Sequence, residues 1–176
     1  MTAPIVITRT FRATPEAIFD AWTLPEQFAR WFGTEAVEVP IESVSMDATV
    51  GGGWKADMHL PDGRIIHWAG EYTEVQRPNR LCFTLTDRPD DPAGAPVTVD
   101  ITPINGISEM TLVQPAGDFT EAQAAQTVIG YNGFFDAMKV VLAEQDATST
   151  TATSTTATST TATSTTATRD SPGSVE

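Results

Sequence analysis

From Ile5 to Arg12 apolar and polar residues alternate, the period of a strand with one buried face. Thr14-Pro15-Glu16 follows as an N-cap, a proline at the first helical position and an acid in the first turn. Ile18, Ala21 and Trp22 then share one helical face, and Thr23-Leu24-Pro25-Glu26 restarts a second short helix. In it Phe28, Trp31 and Phe32 step by three and four before Gly33 ends it. The middle of the chain reads as strands: Ala36 to Met46, Trp54 to Leu60, Ile65 to Val75, Leu81 to Leu85, Val97 to Ile101 and Glu109 to Gln114. Pro61-Asp62-Gly63-Arg64 and Asn105-Gly106 carry hairpin chemistry. Thr120-Glu121-Ala122-Gln123 has capping-box form. It opens a helix to about Ala143 or Glu144, striped by Val128, Tyr131, Phe135, Met138 and Leu142. The order β-α-α-β-β-β-β-β-β-α predicts an α+β fold, a curved antiparallel sheet with its last helix across the concave face.

Beyond Asp146 the pattern ends. From Ala147 the chain repeats Ala-Thr-Ser-Thr-Thr four times, a composition that cannot bury enough apolar surface to offset ordering entropy. The expected organisation is therefore one domain over 1–146 and a disordered tail over 147–176. Charge narrows the partners. The chain has 10 Lys+Arg against 23 Asp+Glu, net −13, with scattered arginines. Nucleic acid requires a clustered cationic surface, so it is not expected as a partner, and neither is an anionic membrane. No apolar run approaches a bilayer span and no signal pattern precedes the first strand, which predicts a cytoplasmic protein. Cys82 is the single cysteine, in an alternating strand where a small buried hydrophobe is expected.

Three segments resemble a known family. The first runs from Arg9-Thr-Phe-Arg-Ala through Ala21-Trp22-Thr, Pro25-Glu and Trp31-Phe32-Gly33. The second joins Gly52-Gly53-Trp54, Met58, Asp62-Gly63, Gly70-Glu-Tyr72-Thr-Glu74-Val75 and Pro78-Asn-Arg80-Leu81-Cys-Phe83-Thr84. The third is Gly130-Tyr131 in the last helix. Together they resemble the SRPBCC superfamily (START, Bet v 1 and polyketide cyclase-like helix-grip folds). The nearer likeness is to the branch named after the C-terminal domain of activators of the 90-kDa heat-shock chaperone ATPase. The resemblance covers nearly all of 1–146 and implies a helix-grip fold. It implies carriers, cyclases, hydrolases and co-chaperone domains alike, because the fold hosts all of them. Tyr131 departs from the family's tryptophan, and its hydroxyl needs a partner if buried. Chaperone activators carry a further N-terminal domain, and a strand starting at Ile5 leaves none expected here, which ranks a chaperone partner last.

Catalytic motifs are missing. Ser43, Ser45 and Ser108 stand outside any Gly-x-Ser-x-Gly, and Gly51-Gly52-Gly53 lacks a phosphate loop's lysine. No cofactor is expected, and two histidines without an acidic cluster predict no metal. The candidate chemistry depends on hairpin register. A two-residue turn at Asp62-Gly63 sets Met58 against His67 and Trp54 against Glu71, bringing His67 and Glu71 to the inner face as candidate acid-base or ligand-orienting groups. A three-residue turn instead sets His59 against His67 and puts Trp68, Gly70 and Tyr72 inside with Trp54 and Met58. Turn chemistry favours the first. On that reading a cavity between sheet and last helix is lined by Trp31, Trp54, Met58, His67, Glu71, Tyr131, Phe135 and Met138, with Gly130 and Gly133 giving room. The aromatic members could equally fill a solid core. The function expected is non-catalytic binding of a small hydrophobic ligand (a lipid, polyketide or aromatic molecule) in that cavity. An enzyme of the cyclase or hydrolase sort is the alternative, and a homodimer is left open.

Overall fold

A computed structural model describes residues 3–34, 36–91 and 94–156. Strand β1 (Ile5–Phe11) leads into helices α1 (Pro15–Thr23) and α2 (Pro25–Phe32). Six strands follow: β2 (Ser45–Met46), β3 (Gly53–His59), β4 (Ile65–Gln76), β5 (Arg80–Phe83), β6 (Val97–Ile104) and β7 (Ile107–Gln114). Helix α3 (Glu121–Thr156) closes the order. All seven strands form one antiparallel sheet in the order β1-β7-β6-β5-β4-β3-β2. This is the α+β helix-grip arrangement, with three helices packed against the concave face.

Local chemistry sets the element ends. Thr14 Oγ1 accepts from the Ala17 amide at 3.3 Å, capping α1 ahead of Pro15. Leu24 ends α1 by donating its amide to the Asp20 carbonyl at 2.9 Å, and Pro25 starts α2 at once. The β6–β7 turn is the two-residue type that Asn105-Gly106 predicts, with φ of 48° and 84° and Ile104 facing Ile107.

Three expectations change. The run from Ala36 to Met46 is mostly a connection: a 3₁₀ turn at Ile41–Ser43, isolated bridges and the two-residue β2. The β3–β4 turn holds three residues, with the Leu60 amide on the Arg64 carbonyl at 2.8 Å and Gly63 at φ 84°. Asp57 therefore faces His67, Ala56 faces Trp68 and Trp54 faces Gly70. The inner face takes Trp54, Ala56, Met58, Trp68, Gly70 and Tyr72, the face that the three-residue alternative gives, but His67 stands against Asp57 and not against His59, because the turn takes in Pro61 and leaves out Arg64. Burying Tyr72 and most of Trp68, at about 2 kcal/mol each, outweighs the turn preference. Finally, α3 continues to Thr156, past the boundary drawn at Asp146. Thr148 returns its hydroxyl to the Glu144 carbonyl at 2.9 Å. The rest of the expected tail, 157–176, lies outside the described residues.

The core is aromatic. Trp22 meets Trp31 edge-on at 4.6 Å, Phe28 stacks on Phe32 at 4.6 Å, and Trp54 meets Phe83 at 5.9 Å. From α3, Tyr131, Phe135, Met138, Val141 and Leu142 enter this cluster. Arg9 of β1 holds α3 from outside through Asn132, at 2.7 Å, and Asp136.

Candidate functional site

The space between sheet and α3 is closed. Trp31, Phe135 and Met138 are fully buried, and Trp54 and Met58 nearly so. Behind Tyr131 only about 10 Å³ stays open, among Trp22, Phe28, Trp54, Tyr72 and Phe83. That holds at most about one water-sized sphere. Trp31, Trp54 and Phe135 of the candidate set are thus part of the core.

His67 and Glu71 lie on the other side of the sheet. His67 Nδ1 sits 2.7 Å from Asp57 Oδ1 on the outer face, its side chain 63% exposed, and Glu71 is likewise exposed. The register puts them there: odd-numbered residues of β4 ahead of Tyr72 point away from α3. Of the candidate set, Tyr131 alone reaches a sizeable cavity.

That cavity is a groove of about 470 Å³ beside the N-terminal half of α3. One wall is helical: Gln123, Thr127, Gly130, Tyr131 and Phe134 step by three and four, hence share a face. Trp68 of β4 and the run Leu85-Thr86-Asp87-Arg88 after β5 form the other. This wall is fixed because Ala69 and Thr86 exchange both backbone hydrogen bonds at 3.0 Å. Phe32 floors the groove, and Gln114 and Phe119 stand where the chain leaves β7 for α3. The rings interlock: Phe32 lies 5.1 Å from Phe134 and meets Trp68 edge-on at 6.1 Å.

Polar groups along the walls are mostly engaged with one another. The Tyr131 hydroxyl donates to Gln114 Oε1 at 2.6 Å, supplying the partner its burial requires. Burial holds this phenol protonated, well above its ordinary pKa. Gln123 Oε1 accepts from the Thr120 amide at 2.9 Å, and Thr127 donates to the Gln123 carbonyl at 2.9 Å. Trp68 differs: its indole N–H is buried with no acceptor among the described residues. Gly130 leaves the helical wall open, since a Cβ there meets nothing within 4 Å, whereas Gly133 is exposed and outside the groove. The room expected from both glycines therefore comes from Gly130.

Two further hollows flank the C-terminal half of α3. One, of about 460 Å³, carries the cations Arg12 and Lys139 and a single ring, Phe11. The other, of about 630 Å³, is lined mainly by Arg12 to Pro15, Pro103 to Ser108 and Asp146. Neither has the aromatic enclosure of the first. Among the described residues no three His, Cys, Asp or Glu side chains converge as a metal site. Cys82 is buried against Glu74 and Thr98, and burial pushes its thiol up, away from reactivity.

Gln114 and Phe119 had no signal as site residues in the sequence, and Leu85 was visible only as the last apolar position of its strand. They sit at strand ends and in connections, where periodicity stops. Phe32, Trp68 and Phe134 were visible as apolar positions, but which of them line a surface opening depends on packing between distant segments.

The fold and the motifs have known counterparts. A protein from Chromobacterium violaceum superposes with a TM-score of 0.70 at 22% identity, covering 81% of this chain and 98% of its own. A protein from Nitrosomonas europaea gives 0.69 at 17% identity over 84% and 99%. The AHSA1 protein of Silicibacter pomeroyi gives 0.67 at 24% identity over 81% and 99%. At these identities the likeness speaks for the fold alone. No curated protein sequence matches the chain. The sequence itself, over residues 12–143, matches the family described as Activator of Hsp90 ATPase homolog 1-like protein. That span includes both short helices, six of the seven strands and the groove-lining face of α3, and the chain belongs to this family.

Proposed function

We propose that the protein binds a small, mainly apolar molecule without transforming it, in the groove between α3 and the wall formed by β4 and the segment after β5. One observation carries this reading. Five aromatic rings, those of Phe32, Trp68, Phe119, Tyr131 and Phe134, border about 470 Å³ of open space, within the range of small-molecule sites. The closed interior supports an outer site over a deep one. A hydrolase or cyclase would need an acid-base pair at the groove, and the paired candidates His67 and Glu71 stand on the opposite face.

The test is a titration with N-phenyl-1-naphthylamine, a neutral apolar dye that fluoresces on leaving water. The wild-type chain takes up one equivalent saturably. Gly130→Leu projects its side chain into the groove, where the backbone has room for it, and lowers affinity at least tenfold. Gly133→Leu, on the exposed side of the same helix, leaves the titration as it was. Equal uptake by wild type and Gly130→Leu defeats the assignment.

A further inference from the structure

Carboxylates outnumber cations on this chain, 23 Asp and Glu against 10 Lys and Arg, so a cation without a carboxylate is unexpected. All the cations except Arg169 lie in the described segments. Arg9, Arg30, Arg64, Arg77, Arg80 and Arg88 each hold a carboxylate. Arg12, Lys55 and Lys139 hold none among the described residues. Arg12 and Lys139 border one hollow, of about 460 Å³, between the end of β1 and the C-terminal half of α3. No other described residue lining it is charged. Asp136, one turn before Lys139, is held by Arg9, and Asp146 borders the neighbouring hollow, which Arg12 also reaches.

We infer that this hollow is a second binding site, for a phosphomonoester on a short aliphatic body, its phosphate held between Arg12 and Lys139. The site is separate from the aromatic groove, whose helical wall runs from Gln123 to Phe134. Two uncommitted cations match a dianion. A phosphomonoester carries a charge of about −1.5 to −2 at neutral pH and three strong acceptor oxygens. An arginine fork meets two such oxygens at once and leaves the third for an ammonium. A carboxylate, with two oxygens and one charge, leaves one of the cations unmatched.

The rest of the lining defines the body. It is apolar, from Phe11, Ile107, Leu142 and Ala143, with Thr10 the one polar exception. Phe11, the single ring, is buried, so no ring face is on offer for a nucleobase to stack on. The net charge of −13 opposes an anion at long range. Physiological salt screens that field over about 8 Å, and contacts at hydrogen-bond distance act well inside it.

Hexyl phosphate, hexanoate and inorganic phosphate test this by calorimetry at about pH 7.5, above the second phosphate pKa of about 6. Hexyl phosphate should bind saturably and roughly tenfold tighter than either comparator, one lacking a charge and the other the body. Arg12→Gln and Lys139→Gln alter exposed side chains without protein partners among the described residues, so both should fold. Each should weaken hexyl phosphate roughly tenfold, and the double variant should abolish its binding. Gly130→Leu, which fills the groove, should leave this titration unchanged, so this site and the groove fail separately. In the wild-type chain, NMR should show the ester shifting the Ile107 and Leu142 methyls and not those of Leu85. Equal affinity in wild type and both cation variants, shifts at Leu85 instead, or no saturable uptake of hexyl phosphate overturns the site. Hexanoate or inorganic phosphate binding as tightly overturns the ligand class.

Discussion

Gly70 marks a close approach in the sheet. A Cβ at this position would lie 1.8 Å from the Thr84 carbonyl oxygen and 2.4 Å from Trp54 Nε1. Those two atoms are hydrogen-bonded to each other at 3.1 Å, so neither can give way alone. Gly70→Ala should cost roughly 3 kcal/mol, the scale of core overpacking, measured as a shift in denaturant midpoint. The two tyrosines allow a second test. Burial holds Tyr131, and burial with the nearby Asp47 charge holds Tyr72, well above the ordinary 10.0. A phenol whose pKa rises on folding contributes fully below the unfolded value of about 10, and the contribution drains away as pH climbs beyond it. Stability should therefore fall above about pH 10, and tyrosinate absorbance should appear together with unfolding. A tyrosine titrating near pH 10 in the folded protein would contradict this. The requirement for a Tyr131 partner could be read from the sequence. The identity of that partner, Gln114, could not, because it comes from the end of a strand.

Element by element, the signals were uneven. The helix starts at Pro15 and Pro25, the Asn105-Gly106 turn and the stripe on α3 were all legible, because each rests on a local rule that packing does not contest. The β3–β4 hairpin was not. Asp62-Gly63 favours a two-residue turn, yet the chain adds Pro61 to it, and one added residue exchanges the two faces of β4. His67 and Glu71 moved outward and Trp68 moved to the groove by that single step. The competing term was the burial of Trp68 and Tyr72, whose weight depends on the helices opposite. Helix α3 repeats the lesson: its two glycines look equivalent in sequence, but their faces differ. Gly130 borders the groove and Gly133 faces solvent, which is why leucine at one should empty the site and leucine at the other should not.

Across the whole molecule, the sheet, the three helices and the family were readable from ordered motifs spread over the domain. The location of the cavity was not. A helix crossing a curved sheet can leave its unfilled volume at the centre or at either end, and the choice falls to side-chain sizes summed over many elements. Here the centre is filled by Trp22, Trp31, Phe135 and their neighbours. The aromatic opening lies beside the N-terminal half of α3, and more polar hollows lie beside its other half. Intermolecular NOEs between N-phenyl-1-naphthylamine and the labelled protein decide among these places directly. Contacts from the dye to the Leu85 methyls and the rings of Tyr131 and Phe134, with none to Ile107 or Leu142, are the predicted result. Contacts to Ile107 and Leu142 instead would contradict it.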